Sequence, residues 1–387
     1  MKFAKFIWPV LFLACVVGGG FSGYMMQKQQ QADTDNLSAT EEITVKSDAL
    51  SIRLFRNAIQ ETTGNIIVAP RVLSDALSLL QSITGGKTQE ELAALQIPEV
   101  SRMPDSDINR FALLTTDINV SRISQQHQVL ALPFSENYPL ALSIFNSLMS
   151  DYTPFPSLQF ATSDTTSSRT KLLAGSIAYS APQWEIPFRK ADTKEADFDN
   201  SSGAIPKYFQ MRSRGKYALA SAENRSWQAV ALPIKTGFRR KSPLVFVAIL
   251  PQTSARDFAT ELTPELLTDI RQALDKATPA DTLVQLPRFH KFLAPHDYRA
   301  SLKQLGLNSL FSDTEADFSP FTAEKIHLSA ILFACGISLQ ESAGSMPADE
   351  NLENALNLID FSRPFIWFIG DLNSETPLEF MGLVEEM

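Results

Sequence analysis

The sequence predicts an α+β protein that combines short buried strands with amphipathic helices in one large domain over residues 47–387. Short apolar runs that end at turn residues are typical of buried strands, and Ile331–Cys335 and Phe365–Ile369 are two of them. Apolar residues at helical spacing mark Ser51–Gln60 as an amphipathic helix. The length and the hydrophobic fraction of 44% allow a sizeable core.

Charge and cysteine content exclude some function classes. The net charge of −9 argues against nucleic-acid binding, which needs a basic surface. The chain has two cysteines, Cys15 and Cys335. One lies in the N-terminal apolar segment and the other in a predicted strand, so we expect no disulfide between them.

The N-terminus predicts export. Lys2 and Lys5 precede an uncharged run over residues 6–26, which is long enough to span a bilayer. Three interpretations remain open: a retained membrane anchor, a cleaved signal peptide, or a lipoprotein signal that uses Cys15. Each interpretation places the domain on the extracellular or periplasmic side. The polar composition of residues 27–46 predicts a flexible spacer before the domain. A lysine-led apolar start with few cysteines favours a bacterial source.

The start of the domain has a specific order of elements. A short strand, Asn65–Ala69, stops at Pro70, and a helix with an apolar stripe follows. After Gly85-Gly86 comes Thr88–Glu91, a capping box that predicts the start of another helix. Further on, the sequence predicts a helix at Pro139–Leu148. In the second half it predicts a helix that begins at Pro264 and three strands: Val230–Pro233, Leu244–Pro251 and Val284–Phe289.

This order of elements resembles the serpins, the serine protease inhibitor family. The resemblance covers roughly residues 47–387 and is weak between 100 and 170. It implies three β-sheets with about eight helices and an exposed reactive-centre loop, here residues 341–364. One family helix, with an Asn-x-Trp-Val core, has no match before the strand at Ile177. The resemblance also implies a monomer without cofactor or metal that inhibits an extracellular serine or cysteine protease.

Inhibitory serpins act by inserting the cleaved loop into a large sheet as a new central strand, which requires a hinge of small, uncharged residues. In this chain, Pro347 lacks the N–H that a central strand needs. Asp349 and Glu350 are adjacent, so either register turns one carboxylate toward the buried face. The hinge as a whole comprises Glu341, Ala343, Gly344, Ser345, Met346, Pro347, Ala348, Asp349 and Glu350. Insertion is therefore doubtful.

Two further features of the family pattern concern the scissile bond and the interior beneath the sheet. The scissile bond stays open, because counting from the hinge gives Asn357 and counting back from Pro364 gives a position near Glu353. Inhibitory members also have a buried polar cluster of Ser, Asn and His under the sheet. The positions that match it here are largely apolar: Ala69, Val72, Ser176 and Phe333. Replacement of a whole polar network is physically coherent, since a half-satisfied network is costly.

The sequence gives little support for catalysis or metal binding. The chain has four histidines, and none lies in a recognisable catalytic motif. His290 and His296 have a spacing that suits no common helical metal site. Two hypotheses therefore remain: a protease inhibitor that acts through the loop, and a non-inhibitory binding protein with the same fold.

Overall fold

The computed structural model describes residues 48–97, 109–118, 129–200, 206–236, 243–373 and 377–387. The predicted segments 1–26 and 27–46 lie outside these residues. Seven α-helices are present in the described part of the chain: α1 (48–61), α2 (Pro70–Gln81), α3 (Gly86–Ala93), α4 (Tyr138–Ser150), α5 (Ala255–Glu261), α6 (Pro264–Lys276) and α7 (Arg299–Gln304). Among these helices, none combines the length and apolar character that a membrane span needs.

A five-stranded sheet forms one layer of the molecule. Its strand order is β10-β11-β4-β2-β3. Strands β11 and β4 run parallel to each other. Strand β10 pairs antiparallel with β11, and β2 pairs antiparallel with β4. Its strands are β2 (Asn109–Thr116), β3 (Val129–Ala131), β4 (Leu172–Ser180), β10 (Phe289–Asp297) and β11 (Ala330–Leu339).

Two further sheets share one long strand, β6, so that the fold has three sheets as predicted. The first part of β6 pairs with β5 and β9, and β9 pairs with β12. The last residues of β6 pair with β7, which continues through β8, β13 and β14 to β1. These strands are β1 (Ile66–Val68), β5 (Lys194–Asp197), β6 (Lys207–Ser221), β7 (Trp227–Pro233), β8 (Val245–Pro251), β9 (Ala280–Pro287), β12 (Asn357–Asp360), β13 (Phe365–Gly370) and β14 (Phe380–Val384).

The largest hydrophobic cluster lies beneath the five-stranded sheet. It joins alternate residues of β4 and β11 to α2 and to the inner face of β8 and β13. A second cluster packs α1, α5 and α6 on the other face of those strands. Phe145 and Met149 of α4 cover the outer face of the five-stranded sheet. The middle of that sheet is therefore buried on both faces.

The fold confirms most of the predicted elements. The strand predicted at 331–335 lies within β11, the strand at 365–369 lies within β13, and the helix at 139–148 lies within α4. Residues 151–171 form turns without a helix, which agrees with the missing family helix. Cys335 is a buried free thiol in β11.

Candidate functional site: the loop and the sheet beneath it

The loop between β11 and β13 is shorter than predicted. The sequence places a loop over residues 341–364, whereas the structure forms strand β12 inside that range, at Asn357–Asp360. The irregular segment is therefore residues 340–356, which we call the reactive loop. Strand β12 pairs in parallel with β9 and contributes an edge to its sheet. Of the two predicted scissile positions, Asn357 lies in this strand, and Glu353 lies in a short 3₁₀ helix, Leu352–Asn354.

The start of the reactive loop is fixed to the body of the protein by backbone contacts. The indole N–H of Trp184 donates to the carbonyl of Gln340 at 2.8 Å. The backbone N–H of Ser342 donates to the carbonyl of Phe188 at 2.9 Å. Trp184 is fully buried, so its indole holds Gln340 from a rigid position. The loop therefore leaves β11 along the 184–193 segment.

Glu341, the first hinge residue, binds two side chains of the body. The hydroxyl of Thr193 donates to its carboxylate at 2.8 Å, and Arg288 lies 3.4 Å from the same oxygen. The carboxylate is largely buried. Arg288 also stacks on the ring of Phe209, with 4.1 Å between the guanidinium carbon and the ring centre. These contacts hold the Glu341 carboxylate between Thr193 and Arg288.

The acidic pair of the hinge lies on the surface rather than beside the sheet. Asp349 forms an ion pair with Arg189 at 3.1 Å, and its backbone N–H donates to the carboxylate of Asp192 at 3.0 Å. Glu350 is exposed, as is Pro347. The three residues that argue against insertion therefore lie outside, in water or in polar contacts.

The last part of the reactive loop binds two arginines of β6. Arg212 pairs with Glu353 and lowers the pKa of that carboxyl. Arg214 donates to the carbonyl of Asn351 at 2.6 Å and forms a bidentate pair with Asp281 of β9. The guanidinium of Arg214 in turn lowers the pKa of Asp281. Together with Arg189 and Arg288, these residues make a set of four that we call the loop arginines.

Sequence reasoning missed the loop arginines. They are spread from Arg189 to Arg288 along the chain, and no spacing connects them to the acidic residues of the loop. The acidic residues of the loop were a usable signal that cationic partners exist on the domain, because carboxylates that pack against a protein surface form strong hydrogen bonds with arginine.

Two apolar side chains at the end of the reactive loop face solvent. Leu356 is 84% exposed and Leu358 is 61% exposed, while Ile359 between Leu358 and Asp360 is buried. Exposed leucines at this level are unusual in a chain that buries most of its aliphatic residues. They are the two most exposed large hydrophobic side chains among the described residues.

The five-stranded sheet is closed beneath the loop. Strands β11 and β4 pair without interruption from Ala330–Leu173 to Ile337–Ser180. Within the described residues, the loop adds no strand to this sheet. The structure therefore shows the state in which the loop lies outside.

The four residues that match the family's polar cluster do come together under this sheet. Phe333 of β11 and Ser176 of β4 are direct partners across the central strand pair. Ala69, Val72 and Phe333 belong to the large hydrophobic cluster, and all four residues are buried. The hydroxyl oxygen of Ser176 has no hydrogen-bond partner among the described residues. The surroundings of Ser176 are thus almost entirely apolar.

A buried charge cluster ties the same sheet to its support, and the sequence did not predict it. Arg110 of β2 donates to both carboxylate oxygens of Glu379 at 2.9 Å and lies 3.4 Å from Asp75 of α2. Arg71 lies 3.6 Å from Asp75. Burial raises the pKa of Asp75 to about 6, against the opposing effect of the two arginines. The cluster joins β2 to α2 and to the residue before β14.

The described residues contain no group of three or more His, Cys, Asp or Glu side chains that could hold a metal ion. His290 and His296 both lie on β10. His296 packs its ring edge-on against Tyr298 and Phe333.

Comparison with known proteins identifies the class of protein that this fold and loop define. The family model described as "Serpin (serine protease inhibitor)" matches residues 109–387. The chain therefore belongs to the serpin family.

Individual relatives are distant. The chain is 24% identical to Serpin B5 of Mus musculus, over 84% of this chain and 95% of that protein. It is 23% identical to plasminogen activator inhibitor 1 of Mus musculus, over 87% of this chain and 90% of that protein. A crystal structure of maspin superposes with a TM-score of 0.77 at 19% identity, covering 90% of this chain and all of that one. Native protease nexin-1 with heparin gives 0.74 at 19% identity, with the same coverage. At such identities the structural similarity establishes the fold alone.

Proposed function

We propose that this serpin acts as a binding protein that presents its reactive loop to a partner protease, or to a related protein, without inserting the loop into the five-stranded sheet. The observation that carries the proposal is the contact between the acidic loop and the loop arginines. Glu341, Asp349 and Glu353 each pair with a different arginine of the body. The chemistry of the loop is complementary to the outer surface of the domain.

The interior of the sheet offers no comparable partners. If the loop were inserted, it would turn back after Leu339 and run antiparallel to β11. A turn of about two to five residues would then place Asp349 and Glu350 beside residues 331–335 of β11. All of these β11 residues are buried and apolar. Moving Asp349 from its contact with Arg189, and Glu350 from water, into this environment costs on the order of several kcal/mol each. Pro347 would also break one ladder hydrogen bond.

The test is cleavage of the loop in the full-length protein, followed by melting. Limited chymotrypsin should cut after Leu356, because chymotrypsin-like pockets accept large apolar side chains. Mass spectrometry locates the cut, and the variant Leu356→Ser serves as the uncut control. We expect the melting temperature of the cut protein to stay within a few degrees of the uncut one. A rise of more than about 10 °C, which corresponds to several kcal/mol, would contradict the proposal.

A second candidate function is trapping of a protease by insertion, and one observation favours it. The exposed Leu356 lies where an apolar-specific protease could cut, close to the two positions that counting gave. Incubation with chymotrypsin-like and subtilisin-like proteases distinguishes the candidates. A covalent complex that survives denaturing gel electrophoresis supports trapping, whereas reversible inhibition or plain cleavage supports binding without insertion.

We further propose that the protein is exported, with residues 6–26 as its anchor or signal. The lysine-led apolar run supports this proposal. The first residue of the native protein decides between the alternatives. A native N-terminus beyond Met26 excludes a retained anchor, and a lipid on Cys15 would indicate the lipoprotein signal.

A further inference from the structure

A polar cleft lies between the start of the reactive loop and the turn that joins β9 to β10. Its volume is about 510 Å³, which lies within the usual range of small-molecule sites. Residues from the hinge form one wall and residues around Arg288 form the other. None of the predicted or proposed functions of the loop uses this space.

The walls of the cleft carry mainly positive charge. Lys190 and Arg288 line it together with His290, and among the described residues that line it Glu341 is the only one with a carboxylate. Ser338 and Ser342 also belong to its lining. In a chain with a net charge of −9, this local excess of cationic side chains does not follow from composition.

Several of these polar groups lack full partners in the described part of the chain. The hydroxyl oxygen of Ser342 is buried and has no hydrogen-bond partner there. Arg288 reaches Glu341 only at 3.4 Å. Lys190 is exposed at the rim of the cleft and forms no ion pair with any described residue. The cationic groups of Arg288 and Lys190 can therefore accept an anion that enters the cleft.

We propose that this cleft binds a small molecule that carries a phosphate or sulfate group. The planar guanidinium of Arg288 recognises such tetrahedral oxyanions through paired hydrogen bonds, and the ammonium of Lys190 adds a second charge from the rim of the cleft. The source of the group, free phosphate or a phosphate ester, is left to the experiment.

Binding at this cleft is coupled to the hinge. An anion that takes the guanidinium of Arg288 competes with Glu341, which then keeps only its bond to Thr193. The start of the reactive loop becomes easier to displace. The site does not depend on the proposed function, because it requires neither a protease nor insertion.

Isothermal titration of the full-length protein tests the site, with inorganic phosphate and glycerol 3-phosphate as separate probes and chloride at matched ionic strength as the blank. Binding of inorganic phosphate identifies the free ion as a sufficient ligand, and binding of the ester alone identifies the ester. Lys190→Gln and Arg288→Gln should each weaken binding by about tenfold. Binding of neither probe would overturn the proposal.

Two variants separate a built site from general charge effects. Arg288→Lys should weaken binding, because the ammonium keeps the charge but cannot make the paired hydrogen bonds of the guanidinium. Lys325→Gln removes an exposed lysine elsewhere and should leave binding unchanged. Equal effects of Lys325→Gln and Lys190→Gln would also overturn the site. Faster chymotrypsin cleavage of the loop with bound phosphate supports the coupling, and an unchanged rate contradicts it.

Discussion

Two positions for the reactive loop differ in chemistry. The first is the insertion position between β4 and β11, which we call the gap although the two strands are paired there in this structure. The second is the outer surface around β6. Cross-strand partners at the gap include Phe333 and Ser176, with apolar residues on both faces. The outer surface presents the loop arginines to the acidic residues of the loop. The loop sequence fits the second place and not the first. Under the proposed function, the loop stays outside because its carboxylates are paired there.

The largest expected change in melting temperature comes from replacing the loop residues that conflict with a buried central strand. The triple variant Pro347→Thr, Asp349→Ala and Glu350→Ala restores a strand-compatible hinge. After cleavage at Leu356, we expect its melting temperature to rise by more than about 10 °C, because a new central strand buries apolar area and completes backbone hydrogen bonds.

Calorimetry of cut and uncut forms measures this rise. The triple variant Ala343→Thr, Ser345→Thr and Ala348→Ser alters the same segment without removing the proline or the carboxylates. It should show no rise after cleavage. If both triple variants behave like the wild type, the length of the loop rather than its chemistry prevents insertion.

The second prediction compares ion pairs under the sheet with those at the loop. Arg110→Met removes the bidentate partner of Glu379 and a neighbour of Asp75. Urea unfolding should show a loss of about 3–5 kcal/mol, because two carboxylates then stay buried without that guanidinium. Glu353→Gln, which removes the largely exposed partner of Arg212 at the loop, is the control and should change the free energy of unfolding by at most about 1 kcal/mol. Equal losses would show that the loop contact is as important to the fold as the buried one.

The third prediction concerns pH. The pKa of Asp75 is about 6 in the folded protein and near 3.8 in the unfolded chain, so between these values the folded state holds a proton that the unfolded state releases. The free energy of unfolding should therefore fall as pH rises from about 4 to 6 and level off above, by up to about 3 kcal/mol. Asp75→Asn should remove this part of the dependence. Parallel curves for both proteins would contradict the assignment.

The smallest effect is expected at the centre of the gap. Ser176→Ala deletes a buried hydroxyl that lacks a partner in the described structure and should stabilise the protein by about 0.5–1 kcal/mol. Thr116→Val provides the contrast, since the hydroxyl of Thr116 donates to the carbonyl of Lys171 at 2.8 Å. That variant should lose about 1 kcal/mol. A loss on Ser176→Ala would reveal a polar partner at this position.

Much of the fold could be predicted because long apolar strands have strong local signals. The runs within β11 and β13 and the proline at the start of α6 each determine an element by themselves. Strand β12 gave no such signal, because only Ile359 of its four residues is buried and Leu358 faces solvent. An edge strand of that kind depends on its partner β9, which the local sequence does not contain.

The candidate site divides in the same way. Pro347, Asp349 and Glu350 could be singled out because a proline and two charges conflict with a central strand whatever surrounds them. The contacts that hold these residues outside depend on Arg189 and Asp192, which lie far away in the chain. Likewise, Asp75, Arg110 and Glu379 meet only after the chain has folded. Local sequence determines what a segment cannot do, and tertiary structure determines what it does instead.

The sharing of strand β6 by two sheets determines how the domain unfolds. Its residues 210–217 belong to one sheet and its residues 218–221 to another, so the two sheets have no seam between them. Amide protons on both sides of Tyr217 should then exchange with solvent only when the whole domain unfolds, at one common rate. A chain divided at this strand would leave two fragments, each with an unfinished sheet, and neither would retain a fold of its own.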